Sequence, residues 1–153
     1  MEKIRRFEIA KGWENKEINM PVRKTAKAAA YDLEAAEDTI IPSFKLGQKT
    51  TLIPTGLKAY MQENEVLMLY PRSSSPKKQG IVFPHSVGII DADYYGNIDN
   101  DGHIMIQCFN IKDEDIVIKK GEAIAQAMFQ NFLITDDDCA QGKRVGGFGS
   151  TSK

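Results

Sequence analysis

The 153-residue chain contains only two cysteines, two histidines and one tryptophan. Cys108 and Cys139 lie far apart without a CxxC spacing, which disfavours both a disulfide scaffold and a structural zinc site. Cys108 lies within the apolar run IMIQCFNI and is expected to be buried, whereas Cys139 follows DDD and is expected to be exposed. We therefore expect a reduced, cytoplasmic protein.

The chain also lacks long apolar runs and an excess of charge of one sign. No stretch approaches the roughly 18 apolar residues that a membrane span needs, and the N-terminal MEKIRRFEIAKGWEN has no signal-peptide core. The formal net charge is −1, so no overall field steers the protein onto nucleic acid or an anionic membrane. We expect neither partner, and any polyanion must be held by a local site.

Short apolar runs bounded by Gly, Pro, Asn and Asp make up most of the sequence, which predicts one all-β domain, a barrel or a sandwich. Residues 26–39 (AKAAAYDLEAAEDT) are rich in helix formers, so a helix stays open there beside the strand pattern. Residues 74–79 predict one short helical turn closed by Gly80. The polar segment NIDNDGH, residues 97–103, predicts a long hairpin loop.

Two carboxylates, Asp91 and Asp93, lie two residues apart in VGIIDADYYGNI. On a strand both side chains would lie on one face, with Ala92 on the other. The apolar residues before Asp91 predict apolar surroundings for this carboxylate, which could act as a general base on a water molecule. A polar turn that caps a buried strand explains the same pattern, and from spacing alone it is the commoner case.

Two further segments carry groups that suit a phosphate chain. In YPRSSSPKKQG, Arg72 offers a planar fork of donors and the three serines add hydroxyl and amide donors. A solvated basic loop is the alternative. In KKGEAIAQAMF, Gln126 lies among apolar residues, so its amide is either paired with backbone or aimed at a ligand.

The chain ends in RVGGFGSTSK, residues 144–153, a glycine-rich segment with one aromatic ring. Phe148 could stack on a base while Arg144, Ser150 and Thr151 reach phosphates. A disordered terminus is the alternative. Taken together, the four segments indicate a ligand with a flat base and a phosphate chain, attacked by an activated water.

The segments AAYDLEAA, PRSSSPKKQG, GIIDADYYG, KKGEAIAQAMF and RVGGFGSTS resemble, in order, the five motifs of the homotrimeric deoxyuridine triphosphatases, or dUTPases. The resemblance implies a distorted jelly-roll that assembles as a homotrimer with active sites at subunit boundaries. It implies hydrolysis of dUTP to dUMP and pyrophosphate with Mg²⁺. It also divides the chain into a β domain, residues 1–143, and a mobile C-terminal arm, residues 144–153, that closes over the site of a neighbouring subunit.

The resemblance also implies a role for each motif residue. Asp91 would activate the water that attacks the α-phosphorus, and Tyr94 would pack under the deoxyribose and exclude a ribose 2′-hydroxyl. Asp32 would face the water shell of the metal. The implied substrate-binding residues are Arg72, Ser73, Ser74, His85, Gly88, Ile89, Ile90, Tyr94, Ile104, Met105, Gln126, Arg144, Phe148, Gly149, Ser150 and Thr151.

The sequence departs from the family pattern at four places. His85 stands where asparagine is common, Tyr95 stands where arginine is frequent, and the 97–103 loop is longer than in many relatives. Arg144 lies one residue nearer the glycine pair than is common, so Lys143 shares its assignment.

The same fold also allows two other functions. A deoxycytidine triphosphate deaminase needs a glutamate in the base pocket, where Asp91 and Tyr94 are expected instead, so deamination is disfavoured. A regulatory protein that senses dUTP and binds a partner through the loop at 97–103 stays open beside the enzyme.

Overall fold

The computed structural model describes residues 2–47 and 49–149, which form eleven short β-strands and three helical turns. The turns are 3₁₀ helices at Phe44–Leu46 and Ala92–Tyr94 and a π-helical turn at Ser75–Gln79. The prediction of an all-β fold is confirmed. The strands are β1 (Arg6–Ile9), β2 (Tyr31–Glu34), β3 (Thr39–Ile41), β4 (Thr51–Pro54), β5 (Leu57–Tyr60), β6 (Glu65–Tyr70), β7 (Ile81–Val82), β8 (Gly88–Asp91), β9 (Met105–Asn110), β10 (Ile116–Ile118) and β11 (Ala123–Asn131).

The strands pair in antiparallel fashion into four sheets around one core. The largest sheet has the order β2-β11-β6-β8, a second has the order β4-β9-β7, and β1-β5 and β10-β3 form two-stranded sheets. Every second residue of β6 and β9 is buried, as expected when one face of a strand packs on the core. Both larger sheets contribute to the same apolar cluster, which includes Leu33, Ile53, Leu67, Ile106 and Ile124.

Residues 26–39 contain β2 and the first residue of β3 and no helix, so the helix alternative for this segment is wrong. Leu33 lies opposite Ala125 of β11 and is fully buried. Burying a leucine stabilises by about 1.5–3 kcal/mol, whereas helix propensities of ordinary residues differ by about 0.7 kcal/mol at most. Tertiary packing therefore decides the conformation of this segment.

The predictions for the helical turn and for the two cysteines are confirmed, whereas the prediction of a hairpin at residues 97–103 is wrong. The turn at Ser75–Gln79 is closed by Gly80, whose φ of +73° is a left-handed conformation that favours glycine. Residues 97–103 form a loop that leads into β9, but the loop does not connect a hairpin, because β8 and β9 belong to different sheets. Cys108 is buried, which raises the pKa of its thiol to about 12, and Cys139 is exposed. Within the described ranges, no helix has the length and apolar character that crossing a membrane requires.

Candidate active site

A cavity of about 290 Å³ lies beside β8. Most of its wall is formed by β8, the end of the 97–103 loop with the start of β9, and the described part of the C-terminal arm, and Leu69, His85 and Tyr94 complete it. No glutamate is among the described residues that line it. Ten predicted site residues meet here, namely His85, Gly88, Ile89, Ile90, Asp91, Tyr94, Met105, Arg144, Phe148 and Gly149.

Asp91 is the last residue of β8 and lies opposite Val66 of β6. The next residues turn into the 3₁₀ helix Ala92–Tyr94, so Asp93 does not continue the strand, and the prediction of two carboxylates on one strand face is wrong. The Asp91 side chain is 55% exposed. The expectation of apolar surroundings is therefore also wrong, because Asp91 lies at the open mouth of the cavity.

Arg144 joins the arm to both carboxylates. Its Nε donates to Oδ1 of Asp93 at 2.7 Å, and its Nη2 donates to Oδ2 of Asp91. The hydrogen bond with Asp93 is the main cause that raises the pKa of the guanidinium above its usual value. The Arg144 side chain is only 15% exposed, so its guanidinium lies against the protein surface beside Asp91, while Asp91 itself stays open to solvent.

The arm backbone then passes directly over the Tyr94 ring. A Cβ atom on Gly147 would lie 2.9 Å from Cε2 of Tyr94. Phe148 follows with a φ of +51° and is 60% exposed. Ser150 and Thr151 lie outside the described residues. The arm thus covers the cavity of its own chain, and its crossing to a neighbouring subunit stays a prediction.

The close approach of Gly147 to Tyr94 predicts that Gly147→Ala opens the arm. Overpacking of this kind costs about 1–3 kcal/mol, and proteolysis reports the population of open segments. We expect an arginine-specific protease to cut after Arg144 about tenfold faster in Gly147→Ala than in the unchanged protein. Gly142→Ala is the matched control, because a Cβ atom at Gly142 meets nothing within 4 Å. Equal cutting of both variants would show that the arm does not depend on this contact.

Tyr94 forms a buried part of the cavity wall. Its hydroxyl donates to the carbonyl of His103 at 2.8 Å and accepts from Nδ2 of Asn100 at 2.8 Å. Burial raises the pKa of the Tyr94 hydroxyl, so the group remains a neutral donor. The backbone fixes one end of the Tyr94 side chain, and these two hydrogen bonds fix its hydroxyl at the other end.

The remaining wall residues divide into predicted and missed ones. His85 lies exposed at the cavity with its ring stacked on Phe83, the centroids being 5.8 Å apart. Met105 lines the cavity as predicted, whereas Ile104 is fully buried in the core. Gln107 also lines the cavity and was missed, although the period of two along β9 puts it on the same face as Met105.

Four residues predicted to hold the phosphate chain and one predicted to face the metal form a separate group, here called the phosphate cluster: Arg72, Ser73, Ser74 and Gln126 for the phosphates, and Asp32 for the metal. Gln126 lies opposite both Asp32 in β2 and Tyr70 in β6, and directly opposite residues share one face of a sheet. Nε of Arg72 lies 3.5 Å from Oδ1 of Asp32. Strand register therefore brings these side chains together.

Hydrogen bonds to backbone fix two members of the phosphate cluster. Nε2 of Gln126 donates to the carbonyl of Pro71 at 3.0 Å, and Nη1 of Arg72 donates to the carbonyl of Ala123 at 3.3 Å. Of the two alternatives for Gln126, its amide donor is thus paired with backbone. Ser73 is exposed and Ser74 is half-buried beside Arg72.

Within one chain the phosphate cluster lies apart from Asp91. Asp91 is opposite Val66, and β6 continues from there to Tyr70, about 13 Å further along the strand at 3.3 Å per residue. Arg72 follows beyond that end. The structure brings the base-side and arm residues into one cavity but does not bring Arg72 or Gln126 into it.

The described residues contain no group of three or more His, Cys, Asp or Glu side chains arranged to hold a metal ion. Asp32 is the one carboxylate of the phosphate cluster, and it is paired with Arg72. A single, partly neutralised carboxylate suits contact with the water shell of a metal better than direct ligation.

The dUTPase family model matches residues 16–152 of this chain. The deoxyuridine 5′-triphosphate nucleotidohydrolase of Lactococcus lactis is 53% identical over 151 residues, which cover 97% of this chain and 98% of that protein. The corresponding protein of Hahella chejuensis is 38% identical over 144 residues, which cover 88% of each.

Solved structures of dUTPases share the fold. The dUTPase from Streptococcus mutans matches with a TM-score of 0.79 at 45% identity, covering 86% of this chain and 98% of that one. The dUTPase of phage phi11 of S. aureus matches with a TM-score of 0.69 at 18% identity, covering 92% and 98%, which supports the fold alone. The prediction of a dUTPase-like jelly-roll is confirmed. The chain belongs to the dUTPase family.

Proposed function

We propose that this protein hydrolyses dUTP to dUMP and pyrophosphate, which would limit uracil incorporation into DNA and supply dUMP for thymidylate synthesis. One observation carries the proposal: the cavity that joins Asp91, Tyr94 and the arm in a member of the dUTPase family. The substrate belongs to the cytoplasmic nucleotide pool, so we assign the protein to the cytoplasm.

Uracil binds along β8. This strand is the edge of its sheet, so backbone groups on its outer side are free to form hydrogen bonds. Amide and carbonyl groups from His85 to Ile90 would read the uracil edge in a slot that rejects the methyl group of thymine and the amino group of cytosine. The exposed ring of Phe148 stacks on the base. Tyr94 packs under the deoxyribose and leaves no room for a 2′-hydroxyl.

Asp91 acts as the general base. Its carboxylate takes a proton from a water molecule whose oxygen attacks the α-phosphorus, and the bond from this phosphorus to the bridging oxygen breaks to release pyrophosphate. Arg144 holds the Asp91 carboxylate in the absence of substrate. When a triphosphate is bound, Arg144 turns to the terminal phosphates, together with Ser150 and Thr151, and leaves Asp91 free to accept the proton.

A divalent metal is a general feature of the family, and we propose Mg²⁺ for this protein. Asp32 would face the water shell of the ion. Bound to the triphosphate, Mg²⁺ would neutralise charge on the phosphate oxygens as the α-phosphorus is attacked.

The active site is proposed to be complete only in a homotrimer, in line with the oligomeric state of dUTPases. Because Asp91 and the phosphate cluster lie apart in one chain, Arg72, Ser73, Ser74 and Gln126 of one subunit would complete the Asp91 cavity of another. The segment between β11 and the arm supports such contacts. Leu133 in this segment is 96% exposed, and Ile134 beside it is also exposed, as expected of a surface that packs on another subunit.

Subunit mixing tests this shared site. Asp91→Asn and Arg72→Ala should each be nearly inactive, but refolding the two together should recover activity. A site is intact when its cavity comes from an Arg72→Ala subunit and its phosphate cluster from an Asp91→Asn subunit, which is about a quarter of sites in an equal, random mixture. If each site lay within one chain, mixing would recover nothing.

Pyrophosphate release from dUTP, dCTP, dTTP and UTP tests the substrate. With Mg²⁺ present we expect rapid release from dUTP alone, and we expect it to stop when EDTA removes the metal. Equal release from all four nucleotides would contradict the assigned specificity. Saturable dUTP binding without any release would instead favour the dUTP sensor that the sequence left open.

A further inference from the structure

The loop at residues 97–103 is organised around the side chain of Asn100, which uses both ends of its amide. Its Oδ1 accepts from Nδ2 of Asn97 at 2.9 Å and from the backbone N–H of Gly102 at 3.1 Å. Its Nδ2 donates to the hydroxyl of Tyr94 at 2.8 Å. The Oδ1 atom therefore stabilises the loop, and the Nδ2 atom contacts Tyr94 in the cavity wall.

Hydrogen bonds and ring packing fix the loop to the rest of the protein, so the loop can hold Tyr94 in place. Asp101 accepts from Nζ of Lys58 at 2.7 Å and from the backbone N–H of Lys11 at 2.9 Å. Nε2 of the buried His103 accepts from the backbone N–H of Gly56 at 2.9 Å. The His103 ring also packs on Trp13, with centroids 5.2 Å apart.

The loop also contacts Tyr94 at two places, its hydroxyl and its backbone. The Tyr94 hydroxyl bonds to Asn100 and to the carbonyl of His103. At the backbone, Gly102 approaches so closely that a Cβ atom there would lie 2.5 Å from the Tyr94 carbonyl oxygen. The ring cannot tilt without breaking hydrogen bonds to the loop.

We propose that Asn100 is a positioning residue that sets the angle of the Tyr94 ring and thereby the preference for deoxyuridine over uridine nucleotides. The inference deepens the proposed function and rests on it, since Tyr94 is the residue that meets the sugar. Exclusion of a 2′-hydroxyl requires a wall that does not yield by the width of one oxygen atom. Asn100 holds that wall from behind without touching the nucleotide.

The test compares the binding of the α,β-imido analogues of dUTP and UTP, which are not hydrolysed at the scissile position. Loss of one neutral hydrogen bond changes an equilibrium by about fivefold. We expect Asn100→Ala to lower the ratio of the two affinities about fivefold, mainly through tighter binding of the uridine analogue. Asp99→Ala, on the same loop but exposed and without a bond to Tyr94, should leave the ratio unchanged.

A double-mutant cycle with Tyr94→Phe identifies the route of the effect. If Asn100 acts through the Tyr94 hydroxyl, Tyr94→Phe should lower the ratio by itself, and adding Asn100→Ala should then change it no further. The emission of Trp13, the only tryptophan, reports whether the loop still packs. Tyr94→Phe keeps the loop side chains, so it tests the proposal even if Asn100→Ala does not fold.

An unchanged ratio in both single variants would overturn the proposal, as would equal weakening of both analogues in a folded protein. Because the analogues report binding alone, these outcomes are independent of turnover. Failure of the unchanged protein to hydrolyse dUTP would overturn the proposed reaction. The role of Asn100 would still be tested by the ratio of the two analogue affinities.

Discussion

Asp91→Asn is expected to lower kcat for dUTP by about 10²–10⁴-fold, the range that a positioned general base contributes. Asparagine keeps the size of the side chain but cannot accept the proton of the attacking water. Because Asp91 is largely exposed at the mouth of the cavity, the substitution should leave the fold intact. The measurement is kcat beside the dissociation constant of α,β-imido-dUTP, which should change little.

Asp93→Asn is the matched control for this experiment. Asp93 carries the same charge, lies two residues away and shares the Arg144 partner. Its neutralisation should cost less than about tenfold in kcat, since a surface ion pair contributes at most about 1 kcal/mol. Equal losses in the two variants would mean that both act through Arg144, and Asp91 would lose its assignment as the base.

Removal of residues 144–153 is expected to lower kcat/KM for dUTP by about 100-fold or more. The arm supplies Arg144, Phe148 and the cover over the cavity, and misplacement of substrate by about 1 Å costs on the order of 10²-fold. Closure also excludes bulk water from the reacting phosphate. Steady-state kinetics of the truncated protein gives the measurement.

The truncation should leave the melting temperature and the oligomeric state unchanged, because none of the described arm residues, 144–149, belongs to the apolar core. Phe148→Ala provides a smaller change in the same segment and should raise KM more than it lowers kcat, since it removes base stacking alone. A truncated protein that fails to assemble, or one that keeps full turnover, would contradict the role of the arm as a lid.

Most of the fold could be predicted from the sequence. Short apolar runs between turn residues are compatible with few folds other than an all-β barrel or sandwich in one domain of this size. Residues 26–39 could not be decided, since their helix propensity and their burial against β11 favour different conformations. The partner that supplies the burial is about 90 residues away in sequence, so local pattern contains no sign of it.

The residue types of the candidate site could also be predicted from the sequence. Their arrangement in two separate places of one chain, the Asp91 cavity and the phosphate cluster, could not. The resemblance implies that Arg72 and Asp91 bind one substrate, whereas the register of β6 and β8 separates the two residues within a chain. Asn100 and Gln107 were missed because neither belongs to a family motif. Nor does spacing predict that Arg144 bridges Asp91 and Asp93, since that contact joins positions more than 50 residues apart.

Hydrolysis of dUTP in ¹⁸O-labelled water, with products analysed by mass spectrometry, tests the central claim most directly. Attack of an Asp91-activated water at the α-phosphorus predicts one ¹⁸O atom in dUMP and none in pyrophosphate, with the labelled product lost in Asp91→Asn. Label in pyrophosphate would place the attack at the β-phosphorus, and absence of turnover would exclude the enzyme; either result would contradict the account.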